Sequence, residues 1–129
     1  MKNISILIML LFSMVGVRAY GQDLPEAAKI QYLIASVEVL KGAKFIRNGH
    51  AYDARTASNH LRLKLRSAGN RVKTAEDFIK LCGSESSMTG EPYLMRLEDG
   101  TTVKAEVFFK NRLKEFTATA DRPGPAKSP

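Results

Sequence analysis

Cysteine, histidine and metal-ligand spacings are all scarce in this chain. Of its 129 residues, one is cysteine (Cys82) and two are histidine (His50 and His60). One cysteine excludes an intramolecular disulfide, so the fold must hold together by its core alone. There is no His-x-x-x-His or Cys-x-x-Cys pair, which leaves zinc and iron without a recognisable ligand set. No Gly-x-Ser-x-Gly elbow is present either, so the usual sign of an exposed serine nucleophile is missing. No repeat of convincing length appears. Acidic residues are absent until Asp23.

That last absence frames the most informative segment. Residues 4–17 form an apolar run preceded by Lys2 and followed by the small residues of Ala19-Tyr20-Gly21. This is the pattern of a secretory signal peptide. Cleavage between Gly21 and Gln22 is the first expectation, and cleavage after Ala19 the second. The run falls short of the ~20 apolar residues that a transmembrane helix needs, although an uncleaved anchor is the competing reading. With no cysteine near the cut, lipoprotein processing is not expected. No later stretch is apolar enough to span a bilayer, so the processed product is expected to be soluble, in the periplasm or secreted.

Removing residues 1–21 leaves 108 residues, enough for one modest core. The net charge of +7 falls to +5 with the loss of Lys2 and Arg18. A basic exported domain favours anionic partners such as membrane surfaces, envelope polymers or acidic proteins; the plainer explanation is solubility. The expected organisation is therefore a signal peptide at 1–21, one domain at 22–116, and a disordered tail at 117–129, where three prolines sit among few apolar residues.

Within the domain, Ile30, Leu33, Ile34, Val37 and Leu40 recur at spacings of three and four, predicting a helix over 26–41 with Gly42 as its stop. Phe45-Ile46-Arg47-Asn48-Gly49-His50-Ala51-Tyr52 predicts a two-residue hairpin, because both turn positions need positive φ. That register sets Phe45 opposite Tyr52, Ile46 opposite Ala51 and Arg47 opposite His50. Asp53 caps a second helix whose stripe is Ala54, Ala57, Leu61, Leu65 and Ala68, ended by Gly69-Asn70. Thr74-Ala75-Glu76-Asp77 resembles a capping box for a short third helix through Phe78, Ile79 and Cys82, stopped by Gly83. Residues 84–92 read as a polar loop. Tyr93-Leu94-Met95-Arg96-Leu97, the turn Glu98-Asp99-Gly100 and Thr101-Thr102-Val103 read as a second hairpin. A last helix carries Ala105, Phe108, Phe109, Leu113 and Phe116. The fold class is α+β: a small antiparallel sheet from two hairpins packed with about four helices.

Four blocks then stand out together: Phe45-Ile46-Arg47-Asn48-Gly49; His60-Leu61-Arg62; Lys73-Thr74-Ala75-Glu76-Asp77-Phe78-Ile79; and Ser86-Ser87-Met88-Thr89-Gly90-Glu91-Pro92-Tyr93. In order and spacing they resemble a family of small exported bacterial proteins, domain of unknown function 5329, over roughly residues 28–116. The resemblance implies a Gram-negative envelope or secreted location and one compact domain, and it implies no activity. Ala43 stands where many members carry cysteine, and Thr89 where serine is usual. If the family cysteine pairs with one near Cys82, this chain has lost that bridge.

Candidate chemistry is sparse. The charges Arg62, Lys64, Arg66, Arg71 and Lys73 flank a short turn and mimic a helix-turn-helix, but the export signal argues against nucleic acid, and a solvated helix face explains them. Cys82, at helical spacing with Phe78 and Ile79, reads as a buried thiol. The candidate ligand-binding residues are Arg47, His60, Ser86, Ser87, Thr89 and Tyr93, centred on the hydroxyl-rich loop; no catalytic residue, metal or cofactor is assigned. In the plainer reading, the loop hydroxyls satisfy local backbone groups, His60 is structural, and Arg47 binds backbone carbonyls or Asp77. A non-enzymatic binding or interaction module is the function expected. A small envelope hydrolase using His60 with a hydroxyl from residues 86–89 is the alternative.

Overall fold

The computed structural model describes residues 24–122; the export signal expected at 1–21 lies outside them. Helix α1 spans Glu26–Glu38 and buries Ile30, Leu33, Ile34 and Val37, the predicted stripe. It ends three residues before the predicted boundary at 41. The Val39 and Leu40 amides bond back to Ala35 and Val37, and the chain then turns through Gly42 at φ +66° to enter the sheet. Gly42 therefore serves the turn and not the helix end. Its exposed Cα also lies against Glu98, whose Cγ would stand 3.0 Å from an added Cβ.

Strand β1 (Lys44–Arg47) and strand β2 (His50–Tyr52) form the predicted hairpin in the predicted register. Asn48 at φ 50° and Gly49 at φ 78° make the turn. Helix α2 (Ala54–Ala68) begins at Asp53, whose carboxylate accepts the Thr56 amide at 2.8 Å, and ends at Gly69. A 3-10 turn over Gly69–Arg71 leads to helix α3 (Ala75–Phe78). The capping box is complete: Thr74 Oγ1 accepts the Asp77 amide at 3.0 Å and Asp77 Oδ2 accepts the Thr74 amide at 3.1 Å. The same helix start is tied to α1, because Glu26 Oε2 accepts the Ala75 amide at 2.8 Å. The backbone continues as a π-helical turn, Ile79–Gly83, closed by Ser84 Oγ donating to the Ile79 carbonyl at 2.6 Å.

Strands β3 (Leu94–Arg96) and β4 (Thr102–Lys104) form the second hairpin. Pairing of β1 with β3 unites the two hairpins into one antiparallel sheet of order β2-β1-β3-β4. Helix α4 (Ala105–Ala120) runs four residues past the predicted start of the tail. Two contacts hold that extra turn: Phe116 stacks on Tyr32 of α1 at 4.2 Å, and Thr117 Oγ1 donates to the Leu113 carbonyl. The tail expected from 117 thus begins no earlier than 121, and residues 123–129 lie outside the description.

One face of the sheet meets the helices. Phe45 and Met95 point into a core shared with Leu33, Ile34 and Val37 of α1, Leu61 of α2, Phe78 of α3 and Phe109 of α4. Cys82 belongs to this core and is fully buried, as its spacing predicts. No helix among the described residues is long and apolar enough to cross a membrane.

Candidate functional site

Arg47 sits at the last position of β1, where strand alternation turns it to the same side as Phe45. His60 lies one turn along α2 from the buried Ala57. These two elements bring the side chains together: Arg47 Nη1 lies 3.0 Å from His60 Nδ1 and 2.8 Å from Nε2. The guanidinium carbon also stands 5.8 Å from the centre of the Tyr52 ring, the cross-strand neighbour of Phe45. Phe45, Arg47, Tyr52, Thr56, Ala57 and His60 line a cavity of about 100 Å³.

Burial lowers the His60 pKa below its usual 6.5, and the charges of Arg47 and then Lys64 lower it further. The imidazole is therefore neutral at pH 7 and accepts a hydrogen bond from Arg47. Sequence reasoning paired Arg47 with backbone carbonyls or Asp77; the structure corrects this. Asp77 is consumed by its own capping box, where the Lys73 and Thr74 amides hold its carboxyl below the usual range. Among the described residues Arg47 forms no salt bridge, and its Nε and Nη2 have no hydrogen-bond partner. No buried side-chain nitrogen or oxygen is left unsatisfied, so those donors face accessible space.

The remaining candidates divide. Tyr93 is 1% exposed and belongs to the core behind His60, with ring centres 6.3 Å apart. Its hydroxyl and ring face both meet Lys64, whose Nζ is 3.0 Å from the hydroxyl and 4.9 Å from the ring centre. Ser86 and Thr89 are drawn to the first hairpin. Asn48 donates to Ser86 Oγ at 3.2 Å and accepts from Thr89 Oγ1 at 2.6 Å. The same two hydroxyls accept the Met88 and Glu91 amides, and Gly90 at φ +72° closes the loop. Ser87 is exposed and has no side-chain hydrogen bond among the described residues.

Three members of this region are not recognisable as such in the sequence. Asn48 is recognisable as a turn residue, but its side chain also clamps the loop over 84–92. Tyr52 is recognisable only as the cross-strand partner of Phe45. Lys64 reads as part of a solvated face, yet it reaches the Glu85 carbonyl and the Tyr93 hydroxyl. Among the described residues no group of three or more His, Cys, Asp and Glu is placed to hold a metal ion.

The model of a family of unknown function, DUF5329, matches residues 25–117. The chain belongs to the DUF5329 family. A curated relative, the uncharacterized protein YfeK of Salmonella typhimurium strain LT2, is 44% identical over 68 residues. That alignment covers 53% of this chain and 57% of the relative, so the match spans little more than half of each protein. No solved structure matches the chain. The matched range contains the four sequence blocks, which contribute Arg47, His60, the α3 capping box and the loop over 84–92.

Proposed function

We propose that this member of DUF5329 is an exported, non-catalytic binding domain that holds a small carboxylate or similar planar anion against Arg47. One observation carries the reading: a half-buried guanidinium lines a cavity with two donor nitrogens unused and no acidic partner among the described residues. Guanidinium is the side chain best shaped for a forked contact to a carboxylate. A neutral His60 and the Tyr52 ring hold it in place without neutralising it. A wider groove of about 430 Å³ lies between α1, α3 and α4, but two of its lysines are already paired, Lys29 with Glu26 and Lys110 with Glu106.

The geometry favours binding over hydrolysis. A general base needs a hydroxyl at its free nitrogen. Both ring nitrogens of His60 face a cation, and the Ser86 and Thr89 hydroxyls are committed to Asn48 and to loop amides. Ser87 is exposed and has no side-chain hydrogen bond, to His60 or otherwise, among the described residues. Export is supported by the apolar leader over residues 4–17, with Lys2 before it and small residues after it.

Two experiments test these parts separately. Fractionation of the producing cell is expected to find a shortened chain outside the cytoplasm; full-length protein in the cytosol would overturn export. Titration calorimetry with a panel of small carboxylates is expected to give saturable binding that Arg47→Leu abolishes and Arg47→Lys weakens about tenfold, since a point charge replaces a fork. Equal binding by wild type and Arg47→Leu would overturn the site.

A further inference from the structure

The helices cover one face of the sheet and leave the other open. Strand alternation puts Lys44, Ile46, Ala51, Leu94, Arg96, Thr102 and Lys104 on that open face. Ile46 and Leu94 are directly opposed at its centre and half-buried, whereas Lys44, Ala51, Arg96, Thr102 and Lys104 are exposed. None of these residues is acidic. Lys44 and Arg96 are cross-strand partners, a like-charge pairing that works against the sheet unless an anion lies over it. None of the three cations forms a salt bridge among the described residues; Asp53 lies near Lys44, Glu106 lies near Lys104, and Glu98, packed against Gly42, borders the face at its end.

We infer that this open sheet face docks on the surface of an anionic phospholipid bilayer. Charge complementarity selects the sign of the partner, and size selects its kind. Four strands about 4.8 Å apart, each three or four residues long, give a face roughly 15 Å by 10 Å. A protein partner burying the ~800 Å² of a specific interface would have to reach well beyond this small patch. A headgroup layer sets no such minimum: each cation near it strengthens binding about fivefold, and three together more than a hundredfold. The inference is independent of the Arg47 cavity, since Arg47 projects from the opposite face of β1.

The test is co-sedimentation of the protein, as it accumulates in its producing cell, with vesicles of phosphatidylglycerol and phosphatidylcholine at moderate ionic strength. Partitioning is expected onto the mixed vesicles, not onto phosphatidylcholine alone, and is expected to vanish in 0.5 M salt, where charges are screened within ~4 Å. Lys44→Gln, Arg96→Gln and Lys104→Gln combined should lower it more than tenfold. Arg55→Gln, Arg66→Gln and Lys73→Gln remove the same charge elsewhere and should change it less than threefold. Lys104→Glu, on edge strand β4, serves alone if the first triple variant fails to fold, and should lower partitioning at least fivefold. Free glycerol phosphate at millimolar concentration should not displace the protein. Equal losses in the two triple variants, undiminished binding to phosphatidylcholine, or capture by poly-glutamate without vesicle binding would each overturn the inference.

Discussion

Gly83→Ala should destabilise the domain although its backbone needs no glycine. Five described glycines have positive φ, and Gly83 is not among them. An added Cβ would meet Phe109 Cε2 at 2.8 Å and Cδ2 at 2.9 Å. Phe109 has nowhere to go: it is fully buried, with Phe78 at 6.1 Å and Phe108 at 5.6 Å between ring centres. Overpacking of this kind costs about 1–3 kcal/mol. The stiffer unfolded chain offsets about 0.4–1 kcal/mol of that. The net loss is thus at most about 2.5 kcal/mol and centres on about 1.3 kcal/mol, a central fall in Tm of roughly 5–10 °C for a domain of this size. Urea and thermal unfolding followed by circular dichroism measure it. Phe109→Leu should remove the clash, so the double variant should be more stable than the sum of the singles by about 1 kcal/mol. A stabilising Gly83→Ala, or strict additivity with Phe109→Leu, would refute the steric explanation.

Three further outcomes follow from the same contacts. Because the folded pKa of His60 is depressed, the unfolded chain takes up this proton first as pH falls; stability should therefore decline as pH drops below about 6.5, and His60→Gln should flatten that slope in unfolding curves measured from pH 8 to 5. Burial raises the Cys82 pKa and shields the thiol, so a thiol reagent at pH 8 should leave the native protein unlabelled and react fully once urea unfolds it. Loss of the cap in Thr74→Ala should cost about 1 kcal/mol in urea unfolding, whereas Thr74→Ser should be nearly neutral; equal stabilities for the two would contradict the capping role.

Elements fixed by a few neighbouring residues were legible in the sequence. Asn48-Gly49 dictates the first hairpin and its register, and Thr74 with Asp77 dictates the start of α3, because each device closes within four residues. Distant packing was not legible. The end of α1 depends on the path into β1, and the last turn of α4 depends on Tyr32 meeting Phe116. Gly83 reads as a helix stop but is required by an aromatic ring 26 positions away. The candidate residues were chosen for their chemistry, and the fold separates them. Arg47 and His60 line the cavity, Tyr93 backs it from the core, and Ser86 and Thr89 clamp the turn at Asn48. The partner of Arg47 was unreadable because it is set by how α2 crosses β1.

The most direct test of the central claim is nitrogen NMR of the Arg47 side chain and the His60 ring during titration with a small carboxylate at pH 7. The account predicts a neutral imidazole before addition and saturable shifts at Arg47 Nε and Nη2 on binding. A protonated His60, or Arg47 resonances unmoved at saturating carboxylate, would contradict it.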